Sequence, residues 1–520
     1  MLRIFKALWR SLERLPLHPV FIVLNLVLLF SAGEVSGIEV STMLHAAGVF
    51  LAATAILIAL LTPSLGLNRA AIGASVILIL AIPVPAVLGT PETIGATGRL
   101  AVLMVIPLLI VGTVIGLHRP EGRAPLTLIF NLVSLALLVQ SAVPPVSKSI
   151  DLAGRPSPAQ LYPDLPAAAP NEAAPDVWHI VMDRYAGGEV LKQVYGFDNA
   201  PFLEALDQRG FSVARAAAAN YQRTAQSLTS TLNLDYLTPF EESGRVAGDD
   251  LLPLYRALQD NRVSRFFAAE GYAVIHAGPW WEPTRHDANE TVSLDYADQP
   301  ELMRVMLDRS LLGYIAVATG VEFANGRLTQ CNRTLAQFDR LEQTAASSER
   351  KFVFAHILLP HPPFVFDAEG ACKDGAVAAR MTRVENYVDQ VRYANRRLLA
   401  LLDRIMAGPR PAVILLQADE GPWPEAFAGN ELDIGMDATH IDWRELSGEQ
   451  LREKMLILYG LRYPDAPAAG IGDHATPVNA YRMILNRYFS GSYEILPERS
   501  YVFRDRQNLY DFIDVTKALQ

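Results

Sequence analysis

The stretch VWHIVMD, residues 177–183, is an apolar run of strand length that stops on an acid, and PAVILLQAD, residues 411–419, repeats the pattern. YAVIHAG (272–278), KFVFAHILLP (351–360) and EKMLILYGL (453–461) are similar in length and nearly as continuous in hydrophobicity. Such continuity is expected of parallel strands with helices on both faces, because half-exposed strands alternate instead. Helical patterns lie between the runs. PFLEALDQRG (201–210) puts Phe202, Leu203 and Leu206 on one face with Gly210 to close it, and a longer helix is expected from Arg383 to Met406, closed near Gly408. This alternation predicts a doubly wound, mostly parallel α/β domain that begins near Asp176.

Toward the N-terminus the solvent changes. Val20–Ala32, Met43–Leu61, Ala70–Leu88, Leu100–Leu117 and Leu126–Val143 are apolar stretches. Each is long enough, or nearly so, to cross about 30 Å of hydrocarbon at about 1.5 Å per residue. Residues 1–143 therefore read as a transmembrane domain of five helices, 144–175 as a Pro/Ala-rich tether, and 176–520 as one extracytoplasmic domain. Arg3, Lys6, Arg10 and Arg14 precede the first stretch, Arg69 lies in one alternate loop, and His118, Arg119 and Arg123 lie in another. The opposite loops carry Glu34, Glu39 and Glu92, with Arg99 at a membrane edge. By the positive-inside rule the N-terminus is cytoplasmic and the chain after Val143 emerges outside. A cleavable leader is not expected, since four more apolar runs follow the first.

A net charge of -10 gives no basic face, so no nucleic-acid partner is expected. Cys331 and Cys372 are the two cysteines. In an oxidising compartment they can pair or remain two separate small residues, and their spacing fits no zinc ribbon.

Ligands of open α/β sheets gather beyond the carboxyl ends of the strands, so the residues closing the runs are the candidates for chemistry. Asp183 ends its run, either as a turn residue or as a ligand. Asp419 and Glu420 are adjacent acids that repel unless a cation lies between them, which favours a metal site. Thr224, in NYQRTAQSLTSTLN (220–233), reads as the N-cap of a helix over Ala225–Leu232, and the macrodipole there would also favour an alkoxide. His361 is held extended by flanking prolines, where it can donate to a phosphate oxygen or protonate a leaving group. His356, inside its strand, reads as structural. His440 and His474 follow the Asp419 run and can complete a metal or substrate site. His276 ends another run beside Trp280 and Trp281, which are either core or a pocket wall.

At these residues the chain resembles the alkaline phosphatase superfamily, in the branch of membrane-bound sulfatase-like transferases that includes lipoteichoic acid synthase and the lipid A phosphoethanolamine transferases. The resemblance covers the anchor, the tether and the domain to about Phe503. It implies Thr224, in Thr-Ala-Gln-Ser, as nucleophile. It implies Asp183, Thr224, Asp419 and Glu420 as ligands of one divalent metal, and His361, in His-Pro-Pro-Phe, as the histidine that binds substrate phosphate. The chain departs from the family at Asp419-Glu420-Gly421, where the family has Asp-His-Gly. An oxygen-rich shell leans to manganese or magnesium over zinc. Neither cysteine sits in a formylglycine motif, which disfavours sulfate-ester hydrolysis.

The implied function is transfer of a phosphoethanolamine- or phosphoglycerol-type head group at a bacterial cytoplasmic (inner) membrane. A membrane phospholipid would be donor and an envelope glycan or lipid acceptor. A hydrolase with the same site, and a non-catalytic envelope scaffold marked by Glu420, are the alternatives.

Overall fold

The computed structural model of the protein describes residues 15–33, 40–88, 95–118, 124–153, 155–168, 174–243, 248–296, 301–319, 326–430, 441–465 and 471–520. Most of the charged residues that set the expected orientation, and His440, lie outside the described residues. The chain divides into two compact units, one of Met1–Arg155 with Asp298–Gly326 and the other of Pro156–Ala297 with Arg327–Gln520.

In the first unit the apolar stretches form helices α1 (His18–Gly33), α2 (Val40–Leu65), α3 (Leu67–Ala81), α4 (Gly95–Leu117) and α5 (Ala124–Ala153). Among the described residues, four apolar spans, Thr42–Leu65, Leu67–Leu88, Thr97–Leu117 and Leu126–Ser147, are long enough to cross a membrane, whereas α1 is shorter. Five apolar helices are thus present where five were expected, the first of them the shortest apolar span. That helix nonetheless runs beside α5 and in the same direction. The His18 N–H donates to Asn131 Oδ1 at 2.6 Å, and the Ser141 hydroxyl donates to Asn25 Oδ1 at 2.6 Å. In a chain that crosses back and forth, the first and fifth helices share a direction. The expected end of α5 at Val143 is also corrected, since the helix continues past Pro144 and Pro145 to Ala153. In an apolar surround the remaining backbone bonds have no water to exchange with, so the helix tolerates the two lost donors.

The second unit holds a seven-stranded sheet. From Asp176 onward the principal elements, in chain order, are β1 (Asp176–Met182), α6 (Ala200–Gln208), β2 (Phe211–Val213), α7 (Thr224–Asn233), β3 (Ala273–Ala277), β4 (Val292–Ser293), α8 (Glu301–Asp308) and α9 (Leu311–Thr319). There follow α10 (Arg327–Ala345), β5 (Lys351–Ile357), α11 (Arg383–Met406), β6 (Ala412–Ala418), α12 (Gly448–Met455) and β7 (Tyr459–Arg462). The strand order is β2-β7-β6-β1-β5-β3-β4, and β7 runs opposite to the other six strands. The three central strands β6, β1 and β5 are buried along their whole length, as their unbroken hydrophobicity requires. Both expected helices form: α6 buries Phe202, Leu203 and Leu206, and α11 opens on a reciprocal Thr382/Glu385 capping box. EKMLILYGL, expected as one strand, is instead the end of α12 followed by β7. The long side chains of Glu453 and Lys454 are buried with polar partners, the Tyr195 hydroxyl and the Gly421 carbonyl.

Helices α8 and α9, which lie between β4 and α10 in sequence, belong to the first unit rather than the second. The expected boundary of a single domain over 176–520 is therefore interrupted. Leu302, Met303, Val305 and Met306 share a buried cluster with Ile22, Val27, Phe30, Ala46 and Ile82, which gives these apolar side chains a core that the sheet does not offer.

Cys331 of α10 and Cys372 are joined in a disulfide that ties α10 to the chain following His361. This settles the open choice at the two cysteines and fits an oxidising compartment. Alkylation of protein taken directly from cells into acid should leave both cysteines unmodified until a reductant is added. Modification of either one beforehand would contradict the pairing.

Candidate metal centre and active site

Parallel register places the chemistry. Val181 of β1 is level with His356 of β5 and Gln417 of β6, so Asp183 stands level with Asp419 just past the strand ends. Side chains alternate along a strand, and Asp183, His356 and Asp419 consequently project from one face. One ligand atom from each lies within 4.8 Å of the others, and all three residues are buried. His356, read from sequence as structural, is thus brought to the cluster, one position short of its strand end. His356 Nε2 approaches Asp183 Oδ2 at 3.3 Å, while Nδ1 meets the Thr284 hydroxyl at 2.7 Å. The Thr284 carbonyl is in turn 2.8 Å from His276 Nε2, so His276 supports the cluster from behind.

Thr224 is the first residue of α7, with Arg223 as its N-cap, one position off the expected cap. Its hydroxyl is close enough to the Asp419 carboxylate to favour the charged form of that acid. His361 is half-buried, and its charge acts on Asp183. Gln390 holds the backbone there, donating to the carbonyls of Pro360 and His361 at 3.0 and 3.2 Å. His474 is an exposed turn residue with no described interaction joining it to the cluster.

Glu420 does not join the cluster. Its Oε1 accepts from Arg184 Nε at 3.1 Å and from Lys454 Nζ at 2.8 Å, and Lys454 is fully buried. The expected metal ligand is thus the anion of an internal ion pair, because the next residue, Gly421, bends the chain against α12. The Gly421 N–H donates to the Lys454 carbonyl at 2.8 Å, and a Cβ at 421 would collide with the Glu453 carbonyl. Arg184 reaches Glu420 from a left-handed backbone conformation with φ of 60°, which also turns its N–H to Asp419 Oδ1 at 3.0 Å. Arg184, Arg223 and Lys454 all lie over the Trp423 ring, at 5.7, 5.3 and 5.2 Å from its centroid. These cations and Trp423 carried no sequence signal, since each becomes significant only through contacts distant along the chain.

The electrostatics show what the cluster lacks. Burial, then the charges of Asp183 and Glu420, push Asp419 up to about 7. Burial also acts to raise Asp183, but His361, His356 and Arg184 outweigh it and hold the group at about 2. Neither Asp183 Oδ1 nor Asp419 Oδ2 makes a hydrogen bond of good geometry. Two buried carboxylates at such range, with unused oxygens and an imidazole beside them, fit a divalent cation in donor type and in charge.

The chain is similar in structure to several solved proteins. One is the C-terminal periplasmic domain of EptC from Escherichia coli in complex with Zn, at 9% identity, covering 68% of this chain and 96% of that one, TM-score 0.41. A second is the integral membrane lipooligosaccharide phosphoethanolamine transferase A (EptA) from Neisseria meningitidis, at 11% identity, 92% and 95% coverage and TM-score 0.38. A third is the putative sulfatase yidJ from Bacteroides fragilis, at 13% identity, 65% and 83% coverage and TM-score 0.35. No family model and no curated protein matches the sequence. The likeness is broad, and the functional reading rests on the side chains.

Two outcomes follow from the charges. In metal-free protein Asp419 binds a proton more tightly when folded than the ordinary value of 3.8 allows, so its contribution to stability falls as pH rises from about 4 to about 7. Asp419→Asn should therefore unfold at a higher temperature than wild type at pH 8 and at about the same temperature at pH 4. Zinc or manganese should raise the wild-type midpoint only. A variant less stable than wild type at pH 8 would show that the crowding is absent. Lys454→Met, which leaves buried Glu420 with Arg184 alone, should cost about 3 kcal/mol. Adding Glu420→Leu should recover most of that loss in denaturant melts, and failure to recover would mean the pair is not the reason for the cost.

Proposed function

We propose that the protein transfers a phospho-head group from a membrane phospholipid to an envelope glycan or lipid hydroxyl on the extracytoplasmic side of the inner membrane, through a covalent Thr224 intermediate. The observation that carries this reading is Thr224 at the N-terminus of α7, beside the buried Asp183–His356–Asp419 cluster at the carboxyl edge of the sheet. The membrane-spanning unit supports it, since the lipid donor and one product would both remain in the bilayer.

The residues that would hold a divalent metal are Asp183, His356, Asp419 and the Thr224 oxygen, with Glu420 reassigned to the pair with Lys454. An imidazole in place of a third carboxylate brings zinc level with manganese as the fitting ion and sets magnesium behind. Bound there, a divalent ion supplies Lewis-acid polarisation and makes a hydroxyl more acidic.

In the first step the Thr224 oxygen forms a bond to phosphorus and the bond from phosphorus to the glycerol oxygen breaks. The proton given up by Thr224 ends on the departing diacylglycerol. In the second step the acceptor hydroxyl attacks phosphorus, the Thr224 oxygen–phosphorus bond breaks, and Thr224 regains a proton. His361 holds a phosphoryl oxygen. Arg223, adjacent to Thr224, and Arg184 add positive field beyond what Glu420 neutralises, which favours an anionic phosphoryl group over a neutral ester.

Protein incubated with labelled phospholipid and then digested should carry a phospho-head-group mass on the Thr224 peptide. Thr224→Ala should lack the adduct and release diacylglycerol about 10³-fold more slowly or worse. Unchanged release would remove Thr224 from its role. His356→Ala should lose bound metal by elemental analysis, and metal content equal to wild type would restore the strand-interior reading of that residue.

A further inference from the structure

The insert between β4 and α10 packs at one particular end of the helical unit. Its cluster partners include Phe30 in the last turn of α1, Ala46 and Ala47 near the start of α2, and Ile82 just beyond α3, while α9 packs on the N-terminal part of α4. These are the ends that point the same way as the C-terminal end of α5, from which the chain runs on toward the second unit.

Depth sets α9 apart from a helix lying on top of the bundle. Tyr314 is fully buried in a cluster with Val102 and Ile106 of α4. Those residues lie inside the apolar span Thr97–Leu117. At about 1.5 Å per residue they are roughly 7 and 13 Å below its first residue. The sequence LLGYIAVAT of α9 carries no charge, and its outward residues Leu312 and Val317 are 42% and 44% exposed.

The backbone meets the demand that hydrocarbon makes of an inserted segment. Ser310 accepts from the Leu312 N–H at 3.1 Å through its hydroxyl oxygen and from the Gly313 N–H at 3.0 Å through its carbonyl, and its own hydroxyl donates to the Leu307 carbonyl at 2.6 Å. Gly313 is needed for the closeness of this turn, because a Cβ there would collide with the Asp308 carbonyl. The charged pair Arg304–Asp308 stays on α8, at 3.4 Å.

We infer that α8 and α9 form a hairpin inserted into the outer leaflet, with Leu312 and Val317 against the acyl chains of bilayer lipid. The second half of the chain is thereby anchored to the membrane at a point remote in sequence from α5. The insertion itself does not depend on the chemistry proposed above.

Both native cysteines are in the disulfide, so Val317→Cys offers one thiol for a bimane label on full-length protein in phosphatidylcholine nanodiscs. Phospholipid bearing a nitroxide on its acyl chain should quench this label several-fold more than one at Val377→Cys, an equally exposed position of the second unit. Aqueous iodide should show the reverse order. Iodide quenching at 317 equal to that at 377, without quenching by lipid, overturns the insertion. Leu312→Cys repeats the measurement should Val317→Cys fail to fold. A second assay, which does rest on the proposed chemistry, compares wild type with the double variant Leu312→Asp/Val317→Asp. Turnover of a bilayer phospholipid should fall several-fold while hydrolysis of bis(p-nitrophenyl) phosphate stays unchanged, and an equal effect on both substrates overturns the lipid-contact role. A lipid-quenched label in a protein inactive on either substrate would retain the hairpin and discard the chemistry.

Discussion

Two carboxylates held level at the ends of adjacent buried strands are the constraint on which the site depends. Asp183 and Asp419 cannot separate, because β1 and β6 are hydrogen-bonded in fixed register and buried on both faces. Their repulsion is therefore either relieved by a proton, as the raised value of Asp419 indicates, or by a cation. The rest of the region is arranged around that conflict. His356 supplies a ring nitrogen and Thr224 a hydroxyl, and Arg184 supplies both a backbone N–H and a guanidinium.

The opposite edge of the same sheet shows what a resolved charge looks like. Asp176, at the start of β1, accepts from buried Lys351 at 2.7 Å and from Arg410 at 2.8 Å. Its charge is matched at once by neighbours in the fold. At the carboxyl edge Asp183 has His356 beside it and Glu420 has Lys454 and Arg184, while Asp419 is left beside two acids and is pushed up. Two adjacent acids in sequence thus have different environments: Asp419 faces a second carboxylate, while one oxygen of Glu420 is held by an ammonium and a guanidinium. A buried pair of the latter kind contributes little net stability, yet removing one partner is costly, so it acts chiefly to fix the geometry beside Thr224.

The same separation of roles runs through the two units. The anchor and the insert place apolar side chains where only lipid or other helices can cover them, while the sheet unit reserves its burial for strands and the groups at their ends. Trp423 links the charged residues by offering one ring to Arg184, Arg223 and Lys454, which lets three cations crowd beside Thr224.

Periodicity and composition were enough to read the membrane helices, the parallel α/β domain, the long helix Arg383–Met406 and the place of Asp183 and Asp419 at strand ends, because each of these signals is local. Apolar length is a property of a segment, and an acid closing a strand is visible in seven residues. The tertiary structure alone decided that His356 faces the cluster, since facing depends on the register between β1 and β5. It alone turned Glu420 toward Lys454, through the close approach of Gly421 to α12. It alone returned residues 298–326 to the membrane unit, as α8 and α9 are too short to announce where their apolar faces will be buried. In each case the deciding force is an interaction between residues far apart along the chain, and such pairings come into being only once the chain has folded.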